Sequence, residues 1–123
     1  MIHAAYLDFG SDSAQGERLY RRVATLDPRM VQRWVRLAWT ADLSGEAGRL
    51  ALPVLAVVAE RSWGTDERWE DVSQALGLAA VPRLRAARIT GAGHFVMLDR
   101  PRELAALIDG FAADPAERAV AAR

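Results

Sequence analysis

Residues 52–60, Leu-Pro-Val-Leu-Ala-Val-Val-Ala-Glu, place the strongest constraint on the fold. Every position from Val54 to Ala59 is apolar, so neither face of the segment suits water. A short valine-rich run bounded by Pro53 and Glu60 predicts a strand buried on both faces, as in a parallel sheet. A parallel partner requires a long crossover, and the following residues supply one. The stretch 62–77, SWGTDERWEDVSQALG, predicts a loop and then a helix, with Thr65 or Asp66 as N-cap and Gly77 as the stop. The stretch 81–90, VPRLRAARIT, predicts a second, less apolar strand. Residues 53–59 and 84–89 are therefore expected to be adjacent parallel strands joined by a helix within 65–77.

Two such strands are not a self-sufficient sheet. The outer edge of Val54–Val58 lacks a charge or proline to blunt it, so it is expected to pair with itself or with another chain. The one third-strand candidate, HAAYLDFG at 3–10, is a poor one. Arg83, Arg85 and Arg88 on the second strand read as charge protecting a sheet edge, and less readily as a small anion site.

The first part of the chain has helical periodicity. Leu19, Tyr20, Val23 and Leu26 share one face. Asp27 and Pro28 end that helix and open another, as N-cap and first-turn residue. Met30, Val31, Trp34, Val35, Ala38 and Trp39 then recur at helical spacing. Residues 1–16 read as an irregular lead-in, and SGEAG at 44–48 as a loop. After the second strand, GAGHFVML at 91–98 reads as a loop. A final helix follows over 99–115, with Asp99 as cap, Pro101 in its first turn, and Leu104, Leu107, Ile108 and Phe111 as its apolar face. Residues 116–123 either continue that helix or fray. The division expected is a helical segment at 1–41 and an αβ segment at 42–123.

Sixteen basic residues balance sixteen acidic ones, which argues against nucleic acid or an anionic membrane as an obligate partner. The chain has no cysteine. A disulfide framework, a thiol nucleophile and a thiolate zinc site are thus excluded. Only two histidines occur, and their placement does not suggest a metal site. The longest apolar run, LALPVLAVVA, is too short to span a bilayer. The first residues lack the pattern of a signal peptide. A cytoplasmic location is the expectation.

The segment TGAGHFVMLDRP at 90–101 is the one most suggestive of chemistry. Gly91 and Gly93 permit a sharp turn that would leave His94 above the strand ends, with Phe95, Val96 and Met97 anchoring the loop. Together with LPVLAVVAE and the helix after it, this stretch resembles the C-terminal end of the α/β-hydrolase superfamily. The resemblance spans roughly residues 42–113. In that family the last strand leads to a loop bearing the catalytic histidine, commonly Gly-His-Phe, then an acid, a proline and the final helix. It implies the C-terminal part of an α/β-hydrolase fold, with two parallel strands, a crossover helix and flanking helices, preceded by cap-like helices. It also implies hydrolysis of an ester, amide or related carbonyl bond by a Ser-His-acid mechanism, acting on a small-molecule substrate in the full-length form and needing no cofactor.

His94 matches the family's catalytic position, and the alternative is a loop histidine bonded to backbone. The acid is open among Asp66, Glu60 and a residue outside this chain, because Ser62 stands where many members have the acid and Ala59 where they have glycine. Trp34 and Trp39 would line a pocket under a cap or simply pack between helices. Trp63 and Phe95 would face the active-site mouth, while Trp69 belongs to the helix core. None of Ser11, Ser13, Ser44, Ser62 and Ser73 lies in a Gly-x-Ser-x-Gly frame after a strand. The 123 residues are expected to be inactive alone. A non-catalytic module that pairs through its open strand edge is the alternative.

Overall fold

The computed structural model describes residues 2–116, so the expectation for the tail beyond 116 lies outside the described residues. The chain divides after Asp42 into two compact units. The first is helical: α1 (Ile2–Phe9), α2 (Ser13–Val23) and α3 (Pro28–Thr40). The second is mixed: α4 (Ser44–Ala47), β1 (Val54–Ala59), α5 (Trp69–Ala75), β2 (Leu84–Ile89), α6 (Val96–Asp99) and α7 (Pro101–Ala113). One 3-10 turn, Glu60–Ser62, follows β1.

The two strands pair in parallel, with Val54 opposite Leu84 and each following pair in step to Ala59 opposite Ile89. This is the expected αβ pairing, with α5 in the crossover, but the burial expected on both faces of β1 is reached only at Val58 and Ala59, Val54–Val57 being half-buried. One face of the sheet meets α7, whose Leu104 and Leu107 pack on a buried cluster of Ala59, Ile89, Ala92 and Val96. Ile89 is fully enclosed, at 0% exposure. The small side chains of Ala59 and Ala92 let the helix approach it closely. This cluster therefore lies at the carboxyl end of the strands, while Ala47, Val72 and Val81 are buried elsewhere in the unit. Ile108, assigned to the apolar face of the last helix, is half exposed instead.

The lead-in at 1–16 and the loop at 44–48 differ from expectation. Residues 2–9 form a helix rather than irregular chain, and the loop after it contracts to Gly10–Asp12. An eight-residue helix is marginal by itself, and α1 is held by its packing on α2. Gly16 makes that packing possible: a Cβ there would come within 2.6 Å of the Leu7 Cα. His3 Nε2 lies 2.8 Å from Glu17 Oε2 and its ring 4.4 Å from that of Tyr20. The hydrogen bond from His3, and secondarily that from Arg21, holds the Glu17 carboxyl below the usual glutamate range. Ser44–Ala47 forms one helical turn where a loop was expected.

Asp27 caps α3 as expected, its Oδ1 accepting the Arg29 N–H at 2.9 Å, with Pro28 in the first turn. The crossover helix starts later than expected, at Trp69, with Arg68 and not Thr65 or Asp66 at the N-cap position. The cause is local competition. Glu67 turns its carboxylate back to the Gly64 N–H, the Glu67 N–H bonds the Gly64 carbonyl at 3.2 Å, and Trp63 Nε1 donates to the Glu67 carbonyl at 3.0 Å. Those bonds close a separate turn ahead of the helix. Gly77 ends α5 as expected, with φ of 70°. The expected loop at 91–98 contains the short helix α6, and Arg100 breaks it from α7 with an extended φ of −134°. Pro101 disfavours a helical residue before it, so the two helices cannot fuse.

Ile89→Ala should lower the unfolding free energy by about 2–4 kcal/mol, since the cluster around it has little freedom to collapse. Ile108→Ala should cost less than about 1 kcal/mol. Urea denaturation followed by circular dichroism measures both, and equal losses would contradict this placement of the core.

Candidate functional site

Because β1 and β2 are parallel and in step, both end at one level, Ala59 beside Ile89. The chain leaves β1 through Glu60 and leaves β2 through Thr90 and Gly91. Glu60 Oε2 accepts a hydrogen bond from the Gly91 N–H at 3.0 Å. Its Oε1 faces the Thr65 hydroxyl at 3.5 Å. Gly91 has φ of 61°, in the left-handed region that is strained for any residue with a Cβ. The turn there sends Ala92 and Gly93 inward and leaves His94 outside.

His94 is exposed between two buried anchors, Ala92 and Val96. Its ring meets that of Phe95 edge-on, with centroids 4.9 Å apart and planes at 87°. The Phe95 carbonyl accepts the N–H groups of Leu98 and Asp99 at 2.8 and 3.3 Å. Asp99 Oδ2 in turn accepts the Gly93 N–H at 2.9 Å. An imidazole is thus presented on a tied loop beyond the carboxyl end of a parallel sheet, where open α/β sheets place their ligand groups.

The remaining predicted site residues are more dispersed. Asp66 is exposed in the turn after Gly64, and it is Glu60 that bonds the histidine loop from the neighbouring strand exit. Phe95 is half buried beside His94. Trp63 packs its ring 4.8 Å from that of Trp69. The Arg88 guanidinium lies 5.6 Å above Trp63 and donates to the Gly64 carbonyl at 2.8 Å. Arg88 therefore fastens the strand to the β1–α5 connection and, unlike a purely protective edge charge, is part of the packing. Trp34 and Trp39 lie on α3 in the other unit, 65% and 85% exposed. Trp34 lines a surface hollow with Met30, Arg33 and Leu37. Met97, expected as a loop anchor, is 53% exposed. It points away because the single turn of α6 gives the inward position to Val96.

Asp99 carries a role that periodicity does not reveal. It was expected to cap the last helix, but the N-cap position of α7 is Arg100, with no side-chain cap bond. Its carboxylate instead closes the loop through Gly93. The only sequence signal was an acid six residues beyond a glycine, which is too common to single out. Among the described residues no group of three or more His, Cys, Asp or Glu is placed to hold a metal ion. Among the same residues no helix is long and apolar enough to cross a membrane.

Comparison of the chain with protein-family models, with curated proteins and with solved structures finds no match.

Gly91→Ala should destabilise the chain by about 1–2 kcal/mol, the cost of a left-handed residue bearing a Cβ. The added Cβ would also stand 2.6 Å from the end of the Arg100 side chain, which must move aside. Gly110→Ala, in α7 with open space around it, should instead stabilise by about 0.5–1 kcal/mol. Urea midpoints from tryptophan fluorescence compare the two, and a neutral Gly91→Ala would show that the turn is not constrained.

Proposed function

We propose that this chain carries the histidine element of a serine-type α/β-hydrolase site acting on an ester, amide or related carbonyl bond. The observation that supports this most is His94 itself: exposed, on a left-handed glycine turn beyond a parallel strand, with a buried residue on either side. In this reading a serine hydroxyl attacks the substrate carbonyl while its proton passes to the imidazole of His94. The imidazolium then protonates the leaving group, and water repeats the sequence to release the acid. The acid partner of His94 is Asp66, Glu60 or a residue outside this chain. Trp63 and Phe95 are the proposed substrate-contacting aromatics in the unit that carries His94.

The nucleophile and the oxyanion donors come from elsewhere. Ser62 follows β1 but lies on a 3-10 turn, with Glu60 where the elbow needs glycine. Ser73 is buried in α5. The amides of Gly91 and Gly93 are engaged by Glu60 and Asp99, so neither is available to a developing oxyanion.

The test is chemical labelling of serine by a fluorophosphonate. The 123-residue chain should not label. A chain extended by the in-frame codons upstream of Met1 should carry Gly-x-Ser-x-Gly and label stoichiometrically, and His94→Ala should abolish that labelling. An extended chain without such a serine, or one labelled equally well after His94→Ala, would refute the assignment.

A second reading is favoured by a specific asymmetry of the sheet. The β2 strand carries Arg85 and Arg88, whereas β1 is uncharged and pairs with no second strand among the described residues. In this reading the chain is a non-catalytic module that joins a second copy through the outer edge of Val54–Val58. Light scattering across a dilution series should then show a concentration-dependent dimer that Val57→Lys converts to monomer. A wild type that stays monomeric and cooperatively folded at high concentration would eliminate this reading.

A further inference from the structure

We infer that Glu60 is the positioning residue of the His94 loop, acting through the Gly91 N–H. The importance of His94 rests on the function proposed above; the mechanical role of Glu60 does not.

The loop after β2 has two carboxylate ties of different kinds. Asp99 reaches Gly93 from six residues away, so it closes the loop upon itself and moves wherever the loop moves. Glu60 reaches Gly91 across thirty-one residues of chain. It belongs to the exit of the neighbouring strand, and its tie fixes the loop against the sheet. Glu60 is the first residue after β1 and Gly91 the second after β2, and the register of the pair sets them side by side. A bond from an amide to a carboxylate is charge-assisted and stronger than one to a neutral acceptor. The second carboxylate oxygen faces the Thr65 hydroxyl, which orients the group from its other side.

The tie falls where the loop is least constrained by its own residues. Gly91 has the widest conformational choice of any residue type, and it begins the turn. Beyond it, Ala92 is buried and His94 is exposed. A change of dihedral at Gly91 would therefore swing the imidazole while leaving the strand intact. Proton transfer requires heavy atoms within hydrogen-bond reach, and a displacement of about 1 Å costs roughly a hundredfold in rate. Glu60 thus limits the freedom that the glycine turn introduces.

The experiment uses the 123-residue chain with Glu60→Ala, Glu60→Gln and Glu60→Asp, read by amide hydrogen exchange and amide proton shifts in NMR spectra. In Glu60→Ala the Gly91 amide should exchange about tenfold faster or more, while Ile89 keeps its protection. Glutamine retains an acceptor oxygen at the same reach and should restore most of the Gly91 protection. Aspartate, one methylene shorter, should not. Should Glu60→Ala fail to fold, the contrast between Gln and Asp decides. Gly91 exchange within roughly twofold of wild type in Glu60→Ala, or Gln and Asp variants that behave alike, would overturn the inference. His94→Ala should leave Gly91 protection unchanged. A Glu60 tie that holds while serine labelling ignores His94 would sink the hydrolase reading alone, and the reverse would sink only the role of Glu60.

Discussion

Parallel pairing without a register offset is the constraint on which the αβ unit depends. An antiparallel pair would place the exit of one strand beside the entry of the other. Here both exits fall together, Ala59 beside Ile89, and each is followed by a segment that can bond the other. Glu60 and Gly91 meet for this reason alone. A slip of one residue would exchange the faces of one strand. It would take Ile89 out of the cluster with Ala92 and Val96, and carry Gly91 away from the Glu60 carboxylate.

The histidine loop shows how burial and exposure are set within a few residues. Ala92 and Val96 are drawn into the cluster that α7 covers, and the chain between them has no length to spare. Gly91 turns left-handed and Asp99 fastens Gly93, so His94 is left at the surface by the demands of its neighbours. Phe95 lies against the imidazole edge-on. The arrangement gives an accessible ring on a backbone tied at Gly91 and Gly93.

Elsewhere the chain relies on local bonding to define its elements. Glu67 and Trp63 close a turn that delays α5. Arg88 then joins β2 to that same connection through the Gly64 carbonyl and the Trp63 ring. In the helical unit, α1 exists because Gly16 lets α2 approach its backbone and His3 reaches Glu17. These interactions involve a glycine backbone and glutamate, tryptophan, arginine and histidine side chains whose partners lie in another element or an adjacent turn.

By itself the sequence determined the parallel pair, the Asp27-Pro28 start of α3, the Gly77 stop and the final helix at Pro101. Each follows from a property of the residue or its immediate neighbours. A short valine-rich apolar run favours a strand in a parallel sheet, proline lacks an amide hydrogen, and glycine accepts a left-handed backbone. It also pointed to the loop around His94, because two glycines before a histidine indicate a turn. Tertiary structure alone decided that residues 2–9 are helical, that α5 begins at Trp69, that Asp99 serves Gly93 and that Glu60 is the acid tied to the loop. Those outcomes depend on which of several equivalent acids and amides meet in space. A hydrogen bond has no period in the sequence, so only the packed chain could select among them.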